Sequence, residues 1–262
     1  YPVTIFDNFS LGLRENIDER VVDVVEGDLL NPADLNRAFE KSISCVLHFA
    51  AWKAAGESMD NPSKYALNNI SGTINLINAM VQNSVRLIVF SSSAAVYGSP
   101  EYLPVDEEHP KNPENYYGYT KLAIEENLKW FSSLKNIRYA ALRYFNATGY
   151  DVSGNLRGKE KNPANLSPVV METLAGGREK MLVFGNDYDT PDGTCIRDYI
   201  HVNDLASAHL LAMKYIAEKE SNLVVNLGTG KGHTVLDVIR AAEEVTGRKV
   251  PYEIVGRRAG DP

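Results

Sequence analysis

The sequence predicts an α/β fold, a doubly wound parallel sheet with helices on both faces. Two observations predict it. Short apolar runs alternate with amphipathic helical stretches along most of the chain, the pattern of strands buried on both faces. Residues suited to holding a ligand recur at the carboxyl ends of those runs, at Asp7, Asp28, Ala50, Ser93 and Tyr144. Open α/β sheets bind their ligands there.

Residues 3–6 form the first apolar run, followed at once by Asp7-Asn8. An acid just past a strand is how dinucleotide-binding folds hold the adenosine ribose; a plain Asx turn has the same signature. Residues 21–26 give a second strand, ending in Gly27-Asp28-Leu29. Asn31 as N-cap and Pro32 at the first helical position open a helix to about residue 41. Residues 44–49 are a third strand, followed by Ala50-Ala51-Trp52-Lys53, whose small residues admit a flat ligand to the backbone. His48 reads as a core histidine. Pro62 opens a long helix to about residue 82, carrying Asn68 and Asn69. Residues 86–93 are an apolar run that ends in three serines.

Residues 99–115, rich in Pro and Glu, read as irregular surface. A helix over 117–134 follows, then a strand over 138–143 and Tyr144-Phe145-Asn146. From 147 to 200 the texture turns to Gly, Asn, Pro and Asp, with a short helix near 167–174 and a strand near 182–184. A helix over 202–216 and a strand over 223–227 return to the main sheet, and a helix over 234–246 is the last clear element. The expected division is a nucleotide-binding domain over 1–146 and a smaller, loop-rich, mainly substrate-binding domain over 147–262. Within the second, about 201–228 rejoins the main sheet.

Composition narrows the class. The chain has 262 residues, 44% hydrophobic and 23% charged, enough for one large domain or two modest ones. Its net charge of −7, with no run of like charge, argues against nucleic acid as a partner. No apolar stretch approaches the roughly 18 residues of a membrane span. The two cysteines, Cys45 and Cys195, are far apart and fit free thiols in a reducing cytoplasm. The five histidines show no metal-ligand spacing, so no metal is expected. The first residue is Tyr1 rather than Met, so the chain is expected to start inside a longer protein.

The chemistry centres on Tyr117-Gly118-Tyr119-Thr120-Lys121. Residues four apart share a helix face, so the Tyr117 hydroxyl and the Lys121 ammonium can point into one space. A free tyrosine has a pKa of about 10, and bringing it to about 7 takes about 4 kcal/mol of differential stabilisation. Lys121 and an oxidised nicotinamide, both positive, would share that task and leave a phenolate able to take a proton from a sugar hydroxyl. The spacing recurs at Tyr215 and Lys219, where it reads as an ordinary tyrosine and a solvated lysine. Only Tyr117 follows a strand that stops in hydroxyls.

Four further stretches carry a resemblance: Val89-Phe-Ser-Ser-Ser-Ala-Ala-Val-Tyr-Gly98, Leu142-Arg-Tyr-Phe-Asn146, Phe184-Gly-Asn-Asp-Tyr188 and Asp192-Gly-Thr-Cys-Ile-Arg-Asp-Tyr-Ile-His201. Over essentially its whole length the chain resembles the UDP-glucose 4-epimerases, a family of extended short-chain dehydrogenase/reductases built on a Rossmann-like sheet. The resemblance implies NAD as cofactor, UDP-galactose and UDP-glucose as substrates, and a homodimer with helices near 62–82 and 117–134 at its interface. It implies Tyr117 as the base, Lys121 as the residue that lowers the tyrosine pKa and holds the nicotinamide ribose, and Ser93 as the partner of the reacting sugar oxygen. Asp7 and Asn8 match the adenosine-ribose position, where an acid favours NAD over NADP. Asp28 and Leu29 match positions flanking the adenine, and Phe49, Ala50, Lys53, Asn68 and Tyr144 the rest of the cofactor lining. Asn146, Asn165, Leu166, Arg197, Tyr199, Arg258 and Asp261 match the sugar-nucleotide side.

Arginine forks suit a pyrophosphate. Arg197, in what reads as a turn-rich loop, has no evident folding role. Asn165 reads equally as a helix cap.

Departures from the family set further expectations. Its glycine-rich phosphate loop belongs about 20 residues before the ribose-binding acid, yet six residues precede Asp7. The first strand, glycine turn and first helix are therefore expected to be missing, as is the C-terminal part. A fragment of that kind should bind NAD poorly and be inactive alone. Tyr116 and Ala147 stand where proline is common and touch no chemistry. A sugar-nucleotide 4,6-dehydratase would need an acid just past the serine strand, and Ser93-Ala94-Ala95 offers none. A 4-epimerase of UDP-N-acetylhexosamines or UDP-uronic acids, and a non-catalytic nucleotide-sugar-binding relic, remain as alternatives.

Overall fold

The computed structural model describes residues 1–257 apart from Glu19, Val22, Arg157 and Asn162. Arg258 and Asp261 lie outside the described residues. The first half alternates as predicted: β1 (Thr4–Asp7), β2 (Asp23–Glu26), α1 (Pro32–Phe39), β3 (Cys45–His48), α2 (Ala55–Asp60) and α3 (Pro62–Tyr65). A π-helical turn, Ala66–Ser71, joins α3 to α4 (Gly72–Gln82), and β4 (Leu87–Ser93), α5 (Tyr116–Lys135) and β5 (Arg138–Tyr144) follow. The second half comprises β6 (Asn146–Thr148), α6 (Leu166–Leu174), β7 (Met181–Phe184), β8 (Ile196–His201), α7 (Val202–Glu218), β9 (Leu223–Leu227), β10 (Gly232–Thr234), α8 (Val235–Thr246) and β11 (Tyr252–Val255).

Local chemistry sets the helix ends. Asn31 accepts from Ala33 N at 3.1 Å, with Pro32 in the first turn of α1. Asn115 accepts from Gly118 N at 2.9 Å to start α5, and Asn136 ends it in the left-handed conformation, φ 55°. Thr234 and Asp237 form a reciprocal capping box on α8.

Four parallel strands in the order β3-β4-β5-β9 form the main sheet. β1 and β2 pair in parallel as a two-stranded sheet, with no ladder to the other four among the described residues. Helices α1 and α4 join them, since Leu35, Phe39, Leu76, Ile77 and Met80 share one core with Ile88, Phe90 and Ala141, and Phe6 and Val46 pack against it. A second core of Val170, Met181, Val183, Ile239 and Val250 holds α6, β7, α8 and β11 together. The three-stranded sheet β10-β8-β6 begins one residue after β5 and leads straight into α7.

The structure differs from the sequence reading at α2, β6, β8, β10 and β11. The strand β8 places Arg197 in a sheet, not in a turn-rich loop. Its ladder partners, β6 and β10, are distant in sequence, so local composition could not signal it. The helix from Pro62 to Gln82 is continuous but changes pitch over the turn that carries Asn68 and Asn69.

Candidate functional site

Ser93 ends β4 directly opposite Tyr144 on β5, and Tyr144 lies opposite Leu227 on β9. The start of α5 is pressed onto this edge. A Cβ at Gly118 would fall 2.4 Å from the Ala95 carbonyl oxygen, so only glycine permits the approach. Tyr117 N donates to Ser58 Oγ at 3.0 Å, and the Ser93 hydroxyl is hydrogen-bonded to the Tyr117 hydroxyl. Lys121, 2% exposed, donates from Nζ to the Ser91 carbonyl at 2.7 Å and sits 5.6 Å from the Tyr117 ring centre. The predicted trio, Ser93, Tyr117 and Lys121, is therefore assembled.

Its electrostatics set out what the expected lowering of Tyr117 has to overcome. Burial pushes Lys121 down to about 7, against the pull of the Glu125 carboxylate. Tyr117 is not lowered: burial, helped by Tyr144, raises its phenol above the ordinary value, opposed by the Ser93 hydrogen bond. Enclosure outweighs the expected effect of the lysine, whose own charge the same enclosure weakens.

Behind the trio lies a buried network. Glu125 receives Ser92 Oγ at 2.5 Å and a two-pronged Arg143, with Nη2 at 2.6 Å and Nε at 2.9 Å. Arg143 Nη1 donates to Tyr97 Oη at 2.8 Å, and Tyr97 donates to Asn226 Oδ1 at 2.7 Å.

The expected cofactor residues fall at neighbouring strand ends. Asp7 Oδ1 accepts from Phe9 N at 2.6 Å, so Asp7 does make an Asx turn; Gly12 lies against the same carboxylate, where a Cβ would come within 3.0 Å. Asn8 donates to Asp28 Oδ2 at 3.0 Å, tying two of the predicted positions together. Leu29 is a core residue, 7% exposed and packed against Gly72, which leaves chiefly its backbone to meet a ligand. Phe49 is exposed at 55%, and Ala50 beside it is exposed too. Asn68 donates to Asn69 Oδ1 at 3.0 Å. Asn69, fully buried, clasps Trp52 through both backbone groups and reaches Thr120 on α5. Lys53 pairs with Glu160 at 3.2 Å. Glu160 belongs to a strap, residues 158–161, that crosses to the segment after β1: Asn16 exchanges two hydrogen bonds with the Lys159 backbone, and Lys161 Nζ donates to the Phe9 carbonyl. Tyr144 Oη bonds Ser91 Oγ.

On the sugar-nucleotide side, Asn146 donates to the Asp198 carbonyl at 3.2 Å and pairs in register with Tyr199. Asn165 occupies the N-cap of α6, yet its side chain makes no capping bond, so the capping reading fails. Leu166 packs against the second core. Arg197 Nη1 donates to the Ile196 carbonyl. Sequence reasoning assigns no role to Gly12, Gly118, Asn69, the strap or His209; only Asn69, beside Asn68 in a polar pair, carries a local signal. His48 is a core histidine, bonded to Thr73 Oγ1 at 2.8 Å.

His209 is 3% exposed. Its Nδ1 donates to the Leu205 carbonyl at 2.7 Å, and its ring lies 4.7 Å from Phe49 and 6.2 Å from Tyr144. The remaining nitrogen, Nε2, is buried and has no hydrogen-bond partner among the described residues. Among those residues no three His, Cys, Asp or Glu are disposed to hold a metal, and no helix is long and apolar enough to cross a membrane.

Over its whole length the chain is similar to known proteins. A UDP-glucose 4-epimerase of Halalkalibacterium halodurans is 43% identical over 262 residues, 99% of this chain and 78% of the relative. The crystal structure of UDP-glucose 4-epimerase from Brucella ovis in complex with NAD superposes with a TM-score of 0.93 at 44% identity, covering 100% of this chain and 80% of that one. The enzyme from Bifidobacterium longum, in complex with NAD+ and UDP, gives a TM-score of 0.95 at 41% identity, covering 100% and 81%. Residues 1–228 match the sequence profile of the NAD dependent epimerase/dehydratase family, and the chain belongs to that family.

Proposed function

We propose that this protein is a UDP-glucose 4-epimerase that interconverts UDP-galactose and UDP-glucose through a 4-keto sugar, with NAD as resident cofactor. The observation that carries the reading is the Ser93–Tyr117 hydroxyl pair at the end of the serine strand, with Lys121 enclosed behind it. No acid follows Ser93 to drive loss of water, which separates the site from a dehydratase.

The residues present fit a dinucleotide. Carboxylates at two strand ends suit ribose hydroxyls, exposed Phe49 offers a flat apolar face, and the orphaned acceptor of His209 lies beside it. Asp7, Asn8, Asp28, the Leu29 backbone, Phe49, Ala50, Lys53, Asn68 and Tyr144 would hold it, with Lys121 at the nicotinamide ribose. Bound NAD supplies a reversible hydride acceptor at the sugar C4 and, when oxidised, a positive ring charge that favours the phenolate.

Tyr117 then accepts the proton of the C4 hydroxyl, and Ser93 holds the oxygen as it becomes a carbonyl. Lys121, as an ammonium, favours the phenolate against the cost of burial. Asn146, Asn165, Leu166, Arg197 and Tyr199, with Arg258 and Asp261, anchor the UDP portion so that the keto sugar can turn over without leaving. With the keto sugar turned over, C4 is reduced again from its opposite face, Tyr117 returns its proton to the C4 oxygen, and no net redox change results. Residues 1–146 carry mainly the cofactor and 147–262 mainly the UDP-sugar.

The protein acts in the cytoplasm and as a homodimer. Exposed Leu67, Tyr119, Trp130 and Leu134, on the long helix and on α5, support a helical interface. Light scattering checks this: a monomeric mass would remove the dimer.

The test of function is turnover of UDP-galactose by this chain extended at both ends to the length of its relatives, with UDP-N-acetylgalactosamine beside it. Conversion of the first is expected. Conversion of the second alone would move the substrate to N-acetylated sugars, and conversion of neither with NAD bound would overturn the reading.

A further inference from the structure

Tyr117, Lys121 and Glu125 are spaced by four residues along one face of α5. The mechanism uses the first two. Glu125, 1% exposed, is as deeply buried as Lys121 and sits one turn beyond it. Lysine and glutamate are fastened to consecutive residues of the serine strand, Lys121 to the Ser91 carbonyl and Glu125 to the Ser92 hydroxyl. Arg143, opposite Ser92 in the ladder, forks onto the Glu125 carboxylate.

A buried ion pair is a poor device for stability, because an apolar pair of like volume does as well or better. What an apolar pair cannot do is balance a third charge. The groups that face Lys121 are Glu125 and the Tyr117 ring on its own helix, His48 on β3, and Phe90 and the Ser91 carbonyl on β4, while Tyr139 and Arg143 on β5 face the Glu125 carboxylate. His48 is held neutral by burial. Without Glu125, Lys121 would be a desolvated cation with no anion among the groups that face it.

We propose that Glu125 is a positioning residue of this site, whose carboxylate keeps the buried Lys121 in its ammonium form. Its significance for turnover rests on the proposed Tyr117–Lys121 chemistry; its effect on Lys121 does not.

The experiment separates the two. In the same extended protein, with NAD bound and lysines labelled at Cε, NMR follows the Lys121 titration directly, and the pH profile of kcat/KM is measured in parallel. Glu125→Gln should lower the Lys121 pKa by about one unit, a tenfold change in the ratio of amine to ammonium. The alkaline limb of kcat/KM should move down with it, and Glu125→Asp should restore both toward their original positions. Because Glu125→Gln leaves Arg143 buried and unpaired, a second variant combines Glu125→Leu with Arg143→Met, a type of replacement that buried pairs tolerate. It should shift Lys121 in the same direction by a smaller amount, since the Arg143 cation lost with the carboxylate lies beyond it. An unmoved Lys121 in either folded variant overturns the proposal. A shifted Lys121 with an unmoved limb upholds it and overturns instead the catalytic role of the lysine.

Discussion

The wall behind the catalytic trio and the rim around the cofactor side use the same kinds of residue to opposite ends. In the wall, Lys121, Glu125 and Arg143 are nearly inaccessible to water, and each is fixed to the serine strand or to its ladder neighbour. At the rim, Lys53–Glu160 and Lys159–Glu15 are half-exposed pairs held by flexible side chains. Burial makes each charge in the wall consequential for its neighbours. Solvent makes the rim pairs nearly interchangeable. One sheet edge thus combines a rigid site for proton transfer with an adaptable surface for a large ligand.

The largest break in this contrast should come from the wall. Tyr117→Phe removes the proton acceptor, and turnover of UDP-galactose should fall about 10²–10⁴-fold while UDP-sugar affinity, read by calorimetry, stays similar. Arg143→Met should cost about 3–5 kcal/mol of unfolding free energy in urea melts, since it strands a buried carboxylate. Adding Glu125→Leu should recover much of that loss.

A pH experiment sharpens the comparison. Lys121 titrates near 7 in the folded protein against 10.5 for an ordinary lysine. Between those values the unfolded chain binds more protons than the folded one, so this group makes stability rise with pH across that window. Its destabilising effect is present in full below about 7 and is relieved toward 10.5. Lys121→Met should remove that slope from the pH dependence of unfolding, whereas Lys159→Met at the rim should leave it intact. The smallest effect is expected from Asn16→Ala. Loss of its paired bonds to the strap should raise the NAD dissociation rate only a few-fold, with no change in melting temperature.

The residues themselves explain what could be read from the sequence. Strands β3, β4 and β5 and their helices were legible because each is an uninterrupted apolar run or a capped amphipathic stretch, and the Ser93, Tyr117 and Lys121 cluster followed from their order. The strand β8 was not, because Ile196-Arg-Asp-Tyr-Ile-His201 has the polarity of a loop and is made a strand by partners from elsewhere in the chain. Asn165 looked like a cap because it stands where caps stand; only its unbonded side chain distinguishes the two. The raised phenol of Tyr117 depends on enclosure by β4 and β5, which no local spacing encodes. Gly118 passed unnoticed for the same reason, since the carbonyl it makes room for lies more than twenty positions earlier, at Ala95.

The π-helical turn Ala66–Ser71 has a consequence for tolerance of length change. It carries Asn69, which holds Trp52 by both backbone groups and reaches Thr120 on α5. Single-turn π segments inside α-helices occur frequently at functional sites. A deletion that restored regular pitch would turn Asn69 away from these partners and leave its buried amide unsatisfied, at a cost of about 1–3 kcal/mol. The long helix should therefore accept substitutions on its exposed face far better than any change in its length.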